Sequence, residues 1–169
     1  GLGSGCPDNA WAQMKLRGDG KILLSAGGVE CGQGHDTVVV QIAAEALGVT
    51  SDNIEIMPVD TDYTMEAGIT TASRQTFVSG NACKGVASVF RLNLLKTASQ
   101  VTGISDGLLE VNETGIVSAN GKTGFHMSFA ELAQKAEHAG IEVYEKFFYE
   151  APQNHPYHAC SDNFSNKMV

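Results

Sequence analysis

Cationic side chains are scarce in this chain: 11 Lys and Arg stand against 19 Asp and Glu, for a formal net charge of -8. The few that exist are scattered. Non-specific binding of nucleic acid or of an anionic membrane requires clustered Lys and Arg, so neither partner is expected. No apolar run approaches the roughly 20 residues that a membrane-spanning helix needs, and the start carries no charged n-region ahead of an apolar core. Cysteine is sparse as well. The four residues Cys6, Cys31, Cys83 and Cys160 form no CxxC pair, which argues against a zinc ribbon or a disulfide framework. The expectation is a soluble, cytoplasmic protein in a reducing setting, with the sequons at Asn112 and Asn163 acting as turn chemistry, not as glycosylation sites. There is no initiator methionine and no clear final element, so the chain is expected to be a piece of something longer that carries part of an active site.

What is present is enough hydrophobic material for one compact core: 43% of 169 residues. A chain of this length buries roughly two thirds of its unfolded surface. Ala10 to Arg17 and Lys21 to Ala26 read as strands joined by Gly18-Asp19-Gly20, a tight hairpin turn. Val38 to Leu47 reads as a helix, with Val39, Ile42, Ala43, Ala46 and Leu47 on its buried face and Gly48 at the C′ position. Ile54 to Val59 is expected as a strand that runs into the polar loop Asp60 to Thr64. A hydroxyl-rich loop, Glu66 to Ser79, leads to Gly80-Asn81-Ala82, from about which a long helix should run to Val101, ended by Gly103. Its inward face takes Val86, Val89, Phe90, Asn93, Leu94 and Val101. Leu108 to Val111 and Gly115 to Ala119 form a second hairpin, Asn120-Gly121 a turn, and Ser128 with Glu131 a capping box opening a helix to Ala139. Ile141 to Tyr149 is the last strand. The order predicts an α+β domain of hairpins and a mixed or antiparallel sheet packed with two or three helices, over residues 1–150, followed by a loop-like tail, 151–169.

The most informative run is Gly28 to Thr37, Gly-Val-Glu-Cys-Gly-Gln-Gly-His-Asp-Thr, which sets Gln33 between two glycines at a helix mouth. Unpaired N–H groups and the positive end of the helix dipole make such a place suitable for an anionic or oxygen-rich ligand. Gly27 and Gly32 have P-loop spacing, but Gln33 and Gly34 follow where Lys and Ser or Thr are required. The dinucleotide fingerprint fails too, because Thr37 stands at its third glycine. Asp60 and Asp62, and the pair His155 and His158, fall short of a metal-ligand set and read as solvated loop residues. Ser73 has no His and acid nearby to make it a nucleophile. Glu30 reads as a carboxylate capping N–H groups rather than as a general base. No catalytic residue and no metal ligand is therefore assigned to this chain.

The runs 28–37, 41–49, 60–62 and 70–76, with Gly80-Asn81-Ala82, together resemble the molybdopterin-binding region of the molybdenum hydroxylases, the family of xanthine dehydrogenases and aldehyde oxidoreductases. The likeness extends from Gly3 to about Glu150. It implies that Gln33 hydrogen-bonds an oxygen ligand of molybdenum, with Cys31, Gly32 and Gly34 adding backbone contacts. It further implies that Ala72 sets its backbone beside the metal ligands while Thr70, Ser73, Arg74 and Gln75 line the pterin or its phosphate. The metal is held in this family by dithiolene sulfurs of the cofactor, and the protein supplies positioning and electrostatics. The implied partners are the rest of the molybdenum-binding subunit, iron–sulfur and FAD-carrying modules, and a small purine, N-heterocyclic or aldehyde substrate. The family's activating glutamate lies beyond these motifs, so the chain is expected to be inactive alone and to hold no stable molybdenum–molybdopterin. A non-catalytic module that keeps the fold without cofactor is the alternative. An unrelated ligand binder would place the Gly34 and Gly80 loops at opposite ends, whereas the family reading expects them to open to one face.

Overall fold

The computed structural model describes residues 7–118 and 124–152. Cys6, Cys160, the Asn120-Gly121 turn, His155, His158, the Asn163 sequon and residues 153–169 of the expected tail lie outside the described residues. Seven strands and three helices are described: β1 (Asn9–Leu16), β2 (Ile22–Ala26), α1 (His35–Leu47), β3 (Ile54–Ile56), α2 (Arg74–Thr102), β4 (Leu109–Asn112), β5 (Gly115–Ser118), β6 (His126–Met127), α3 (Phe129–His138) and β7 (Tyr144–Glu150). A mixed four-stranded sheet has the order β3-β2-β1-β7, and a second sheet has the order β4-β5-β6. The α+β class and the mixed sheet agree with the sequence reading.

Alternation builds the larger sheet. Ala10, Ala12, Met14 and Leu16 of β1 point inward and are buried, as are Ile22, Leu24 and Ala26 of β2. β1 pairs antiparallel with β2 and with β7, while β3 adds parallel to β2 after the crossover through α1. At the β1–β2 turn, Asp19 accepts from the Arg17 guanidinium and from the Lys21 N–H, and Gly20 takes φ 88°. On the outer face, Trp11 lies against Phe148 with centroids 4.9 Å apart and Lys146 stands 5.7 Å above its ring.

The 29-residue α2 is the spine, about 44 Å long. It packs on α1, β1 and β7. Arg74, Val78, Ala82, Val86, Phe90, Leu94 and Ala98, each four residues from the next, are all fully buried. Two glycines allow the close contacts. A Cβ at Gly80 would lie 2.9 Å from Ile42 of α1, and one at Gly85 would lie 2.3 Å from the Phe147 ring of β7. The smaller sheet and α3 close the far end, with Ser128 and Glu131 forming both halves of the expected capping box.

Four boundaries differ notably from the sequence reading. Helix α2 starts at Arg74, six residues before Gly80, because its four-residue apolar stripe continues upstream and Gly80 is a helix–helix contact, not a loop residue. Helix α1 starts at His35 instead of Val38, since the glycine cap at Gly34 adopts φ 79° and lets the helix begin at once. Strand β3 ends at Ile56: the Met57 N–H still donates to Leu24 O at 2.8 Å, but Pro58 then has no N–H to continue. β7 likewise begins at Tyr144 and not at Ile141.

The Gly85 contact sets a stability test. Gly85→Ala is expected to lower unfolding free energy by about 1–3 kcal/mol through overpacking against Phe147. Gly107→Ala, whose added Cβ meets only Ser105 Oγ at 3.9 Å, is expected to stay within about 0.5 kcal/mol of wild type in urea denaturation.

Candidate cofactor-binding cleft

The two sequence-nominated loops meet. A cleft of about 330 Å³ is lined by Cys31, Gln33 and His35 from the first loop and α1 start, and by Thr70, Ala72 and Gln75 from the second, with Val38, Thr71 and Thr76 completing it. The Val29 N–H donates to Thr70 Oγ1 at 2.9 Å and joins the loops directly. No lining residue is Lys, Arg, Asp or Glu, so the walls offer neutral donors and acceptors. A larger groove of about 440 Å³ lies elsewhere, between α2 and β7. Its Asn93 and Glu145 already bond each other at 2.8 Å, and it contains none of the nominated residues.

The first loop satisfies itself. Glu30 reaches over the helix mouth and accepts from the N–H groups of Gly32 (2.7 Å), Gly34 (3.1 Å) and Asp36 (3.1 Å). The anion that this helix start attracts is thus the chain's own carboxylate, as a capping role for Glu30 requires. The bond from Asp36, then those from the other amides, hold the Glu30 carboxyl below its ordinary value. Gln33 also folds back: its Oε1 accepts from the Cys31 N–H (2.7 Å) and thiol (3.1 Å), and its Nε2 donates to Val29 O (2.7 Å).

The second loop is built on Arg74. Its guanidinium, fully buried, donates from Nε to Asp8 Oδ1 (3.1 Å), from Nη1 to the carbonyls of Ala67 (2.6 Å) and Ile69 (3.1 Å), and from Nη2 to those of Pro7 (2.9 Å) and Asn9 (2.9 Å). Every N–H it owns is used, and Gly68, at φ 67°, passes so close that a Cβ would sit 2.5 Å from Nη2. Gln75 is a second strut, donating to Ile69 O (3.1 Å) and Thr70 Oγ1 (3.3 Å) while its Oε1 lies 2.5 Å from the Ser79 hydroxyl. Ala72, at the cleft, is the one non-glycine residue with positive φ among the described residues, at 41°. Such backbone stores about 1–3 kcal/mol of strain and collects at functional sites.

Of the nine nominated residues, Cys31, Gln33, Thr70, Ala72 and Gln75 line the cleft. Gly32 and Gly34 lie in its rim loop, Ser73 is exposed at the start of α2, and Arg74 is directed into the interior. Thr71, Thr76 and His35 join the lining without having been nominated. The sequence signal for His35 is that it precedes Val39 by one helical turn on the same buried stripe. Gly80 does not open to the cleft, and the partner of the Gly34 loop is the turn at 70–72. Among the described residues there is no group of three or more His, Cys, Asp or Glu able to hold a metal, and no helix long and apolar enough to cross a membrane.

The fold recurs in quinoline 2-oxidoreductase from Pseudomonas putida 86, with a TM-score of 0.72 and 21% identity, covering 86% of this chain and 19% of that one. That likeness is one of architecture. The molybdopterin cofactor-binding domain family matches residues 1–167, and the chain belongs to it. It is 34% identical over 136 residues to the probable hypoxanthine oxidase of Escherichia coli K12, covering 79% of this chain and 14% of that protein. It is 35% identical over 135 residues to a probable xanthine dehydrogenase subunit from Bacillus subtilis 168, covering 80% of this chain and 18% of that protein. The chain thus spans less than a fifth of the length of these relatives.

Two measurements check the loop architecture. Arg74→Met is expected to cost about 3–5 kcal/mol in urea unfolding, because five acceptors lose their donor and Asp8 its ion pair. For Glu30, a depressed folded pKa means that its capping contribution is complete above the ordinary glutamate value and is lost as pH falls through the lower folded one. The amide resonances of Gly32, Gly34 and Asp36 should therefore titrate together below pH 4.5 and stop doing so in Glu30→Gln.

Proposed function

We propose that this chain forms one wall of the molybdenum–pterin site in the molybdenum-binding subunit of a xanthine dehydrogenase-like hydroxylase. The observation that carries this reading is the convergence of Cys31-Gly32-Gln33 with Thr70-Thr71-Ala72 on one cleft. The cofactor fits that cleft on two counts. His35, which lines the cleft, keeps a buried polar atom, Nε2, without a partner. The neutral lining suits a heterocycle with mixed donors and acceptors better than a phosphate, which would call for cations or free N–H groups. Arg74, with all its N–H groups committed to the scaffold, supports the cleft from behind and leaves the phosphate to other segments.

When bound, the cofactor supplies the two-electron redox chemistry. The residues of this chain bind and orient it. Gln33 exchanges its bonds to Cys31 and Val29 for one to an oxygen-rich ligand, Thr70 and Thr71 present hydroxyls from the opposite side, and the strained Ala72 backbone holds the second loop close. Cys31 contributes its backbone and Gly32 and Gly34 permit the approach, while Ser73 and Gln75 set the start of α2.

In this reading residues 1–150 are the cofactor-binding subdomain and 151–169 a loop-like tail, in a cytoplasmic enzyme. The catalytic carboxylate comes from another segment, and electrons leave through iron–sulfur and FAD modules. Substrates are purines, other N-heterocycles or aldehydes, and the kinship to the hypoxanthine oxidase and xanthine dehydrogenase named above favours purines. Molybdenum analysis of the complete subunit, with detection of an oxidised pterin, tests the assignment. In that subunit Gln33→Ala is expected to lower kcat by about a hundredfold while Tm stays near wild type; unchanged turnover would remove Gln33 from the site. Hydroxylation by the isolated 169 residues would refute the assignment of the catalytic carboxylate to another segment.

A further inference from the structure

Among the described residues, one buried side-chain polar atom has no hydrogen-bond partner: Nε2 of His35. The residue is 5% exposed, stands at the start of α1 and lines the cleft. Whichever tautomer is present, a buried imidazole nitrogen needs an acceptor for its N–H or a donor for its lone pair. Leaving either unmade is among the costlier local defects in a fold, and a leucine of similar bulk would fill the space without it. The surroundings are arranged around this ring. A Cβ at Gly28 would fall 2.4 Å from Nε2 and 2.7 Å from Cε1, so only glycine leaves it in place, and Gly28 takes φ 149° to pass it. Gln75 Oε1 borders the same gap, 3.1 Å from that Cβ position, but lies 2.5 Å from the Ser79 hydroxyl.

We propose that His35 is a ligand-binding residue of the cleft, its Nε2 hydrogen-bonding a nitrogen heterocycle that carries ring N–H and C=O groups. The inference rests on the functional reading above and extends it to a residue outside the glutamine and second-loop contacts. Gly28 lies against Nε2. The next residue, Val29, is exposed and is tied to the opposite loop through its N–H bond to Thr70 Oγ1. The neutral lining selects an uncharged, hydrogen-bonding heterocycle. Two sources share that chemistry, the pterin of the cofactor and a heterocyclic substrate.

The test uses the complete molybdenum-binding subunit as wild type, His35→Leu and His35→Gln. Three quantities are read: molybdenum and oxidised pterin retained per protein, KM for hypoxanthine as probe, and Tm of the cofactor-free protein. His35→Leu is expected to retain pterin roughly tenfold less well, the worth of one hydrogen bond. Its cofactor-free Tm should be unchanged or higher, since the unmet polar atom is gone. His35→Gln, which keeps an N–H donor at similar reach, should recover most of the retention. Full pterin content with a KM for hypoxanthine raised about tenfold in His35→Leu would assign the bond to the substrate heterocycle. Equal pterin and equal KM in all three proteins overturn the proposal, as does pterin loss that merely follows a lowered cofactor-free Tm. A wild-type subunit that holds neither molybdenum nor pterin overturns the functional reading itself, and this inference with it.

Discussion

The Arg74 guanidinium is the interaction on which the rest of the site depends. It gathers the carbonyls of Pro7 and Asn9 at the entry to β1, those of Ala67 and Ile69 in the second loop, and the Asp8 carboxylate, all at the first turn of α2. Five donors in a fixed planar fork impose directions on five acceptors, which a flexible ammonium could not do. The cleft is consequently placed by a charge that never touches it: β1, the loop before α2 and the spine helix share one anchor. Because that anchor is fully buried, its charge is held by saturation of every N–H, the condition under which a buried cation is tolerated.

Against this fixed wall, the opposite rim is held by exchangeable bonds. Glu30 caps the α1 mouth and Gln33 bonds backbone and thiol of its own loop, all among exposed residues where water competes for each bond. A rim so arranged is ordered without a ligand and can release its donors to one at little net cost. Rigidity behind and exchangeability in front is the division of labour expected of a surface that positions a cofactor whose reactivity is its own. The strain at Ala72 belongs with the rigid side, since only a loop pinned by Arg74 and Gln75 would hold an alanine at that φ.

Much of this was legible. Alternation in 10–16 and 22–26 specified the first hairpin, the Ser128–Glu131 pair specified the α3 cap, and the glycine-glutamine-glycine run marked the rim of the cleft. What went unread had physical causes. Gly80 and Asn81 look like loop residues because a glycine needed for a helix crossing has the same letter as one needed for a turn, and only Ile42 across the contact tells them apart. Arg74 looks like a ligand for phosphate because an arginine in a hydroxyl-rich loop shows its charge in the sequence and not the carbonyls that will consume it. His35 looks like a loop residue because the apolar run of α1 starts only at Val38, one turn into the helix.

The sequence by itself determined most of the secondary structure, the α+β class and the family, since these rest on local periodicity, turn chemistry and a contiguous motif. The tertiary structure alone decided which residues meet. Residues 31–33 and 70–72 are some forty positions apart, and Pro7–Asn9 lies some sixty-five from Arg74, so their meeting depends on how α1 and α2 cross. That crossing is set by side-chain packing between distant segments, with Gly80 against Ile42, as the seat of α2 on the sheet is set by Gly85 against Phe147 of β7, and no local pattern encodes either contact.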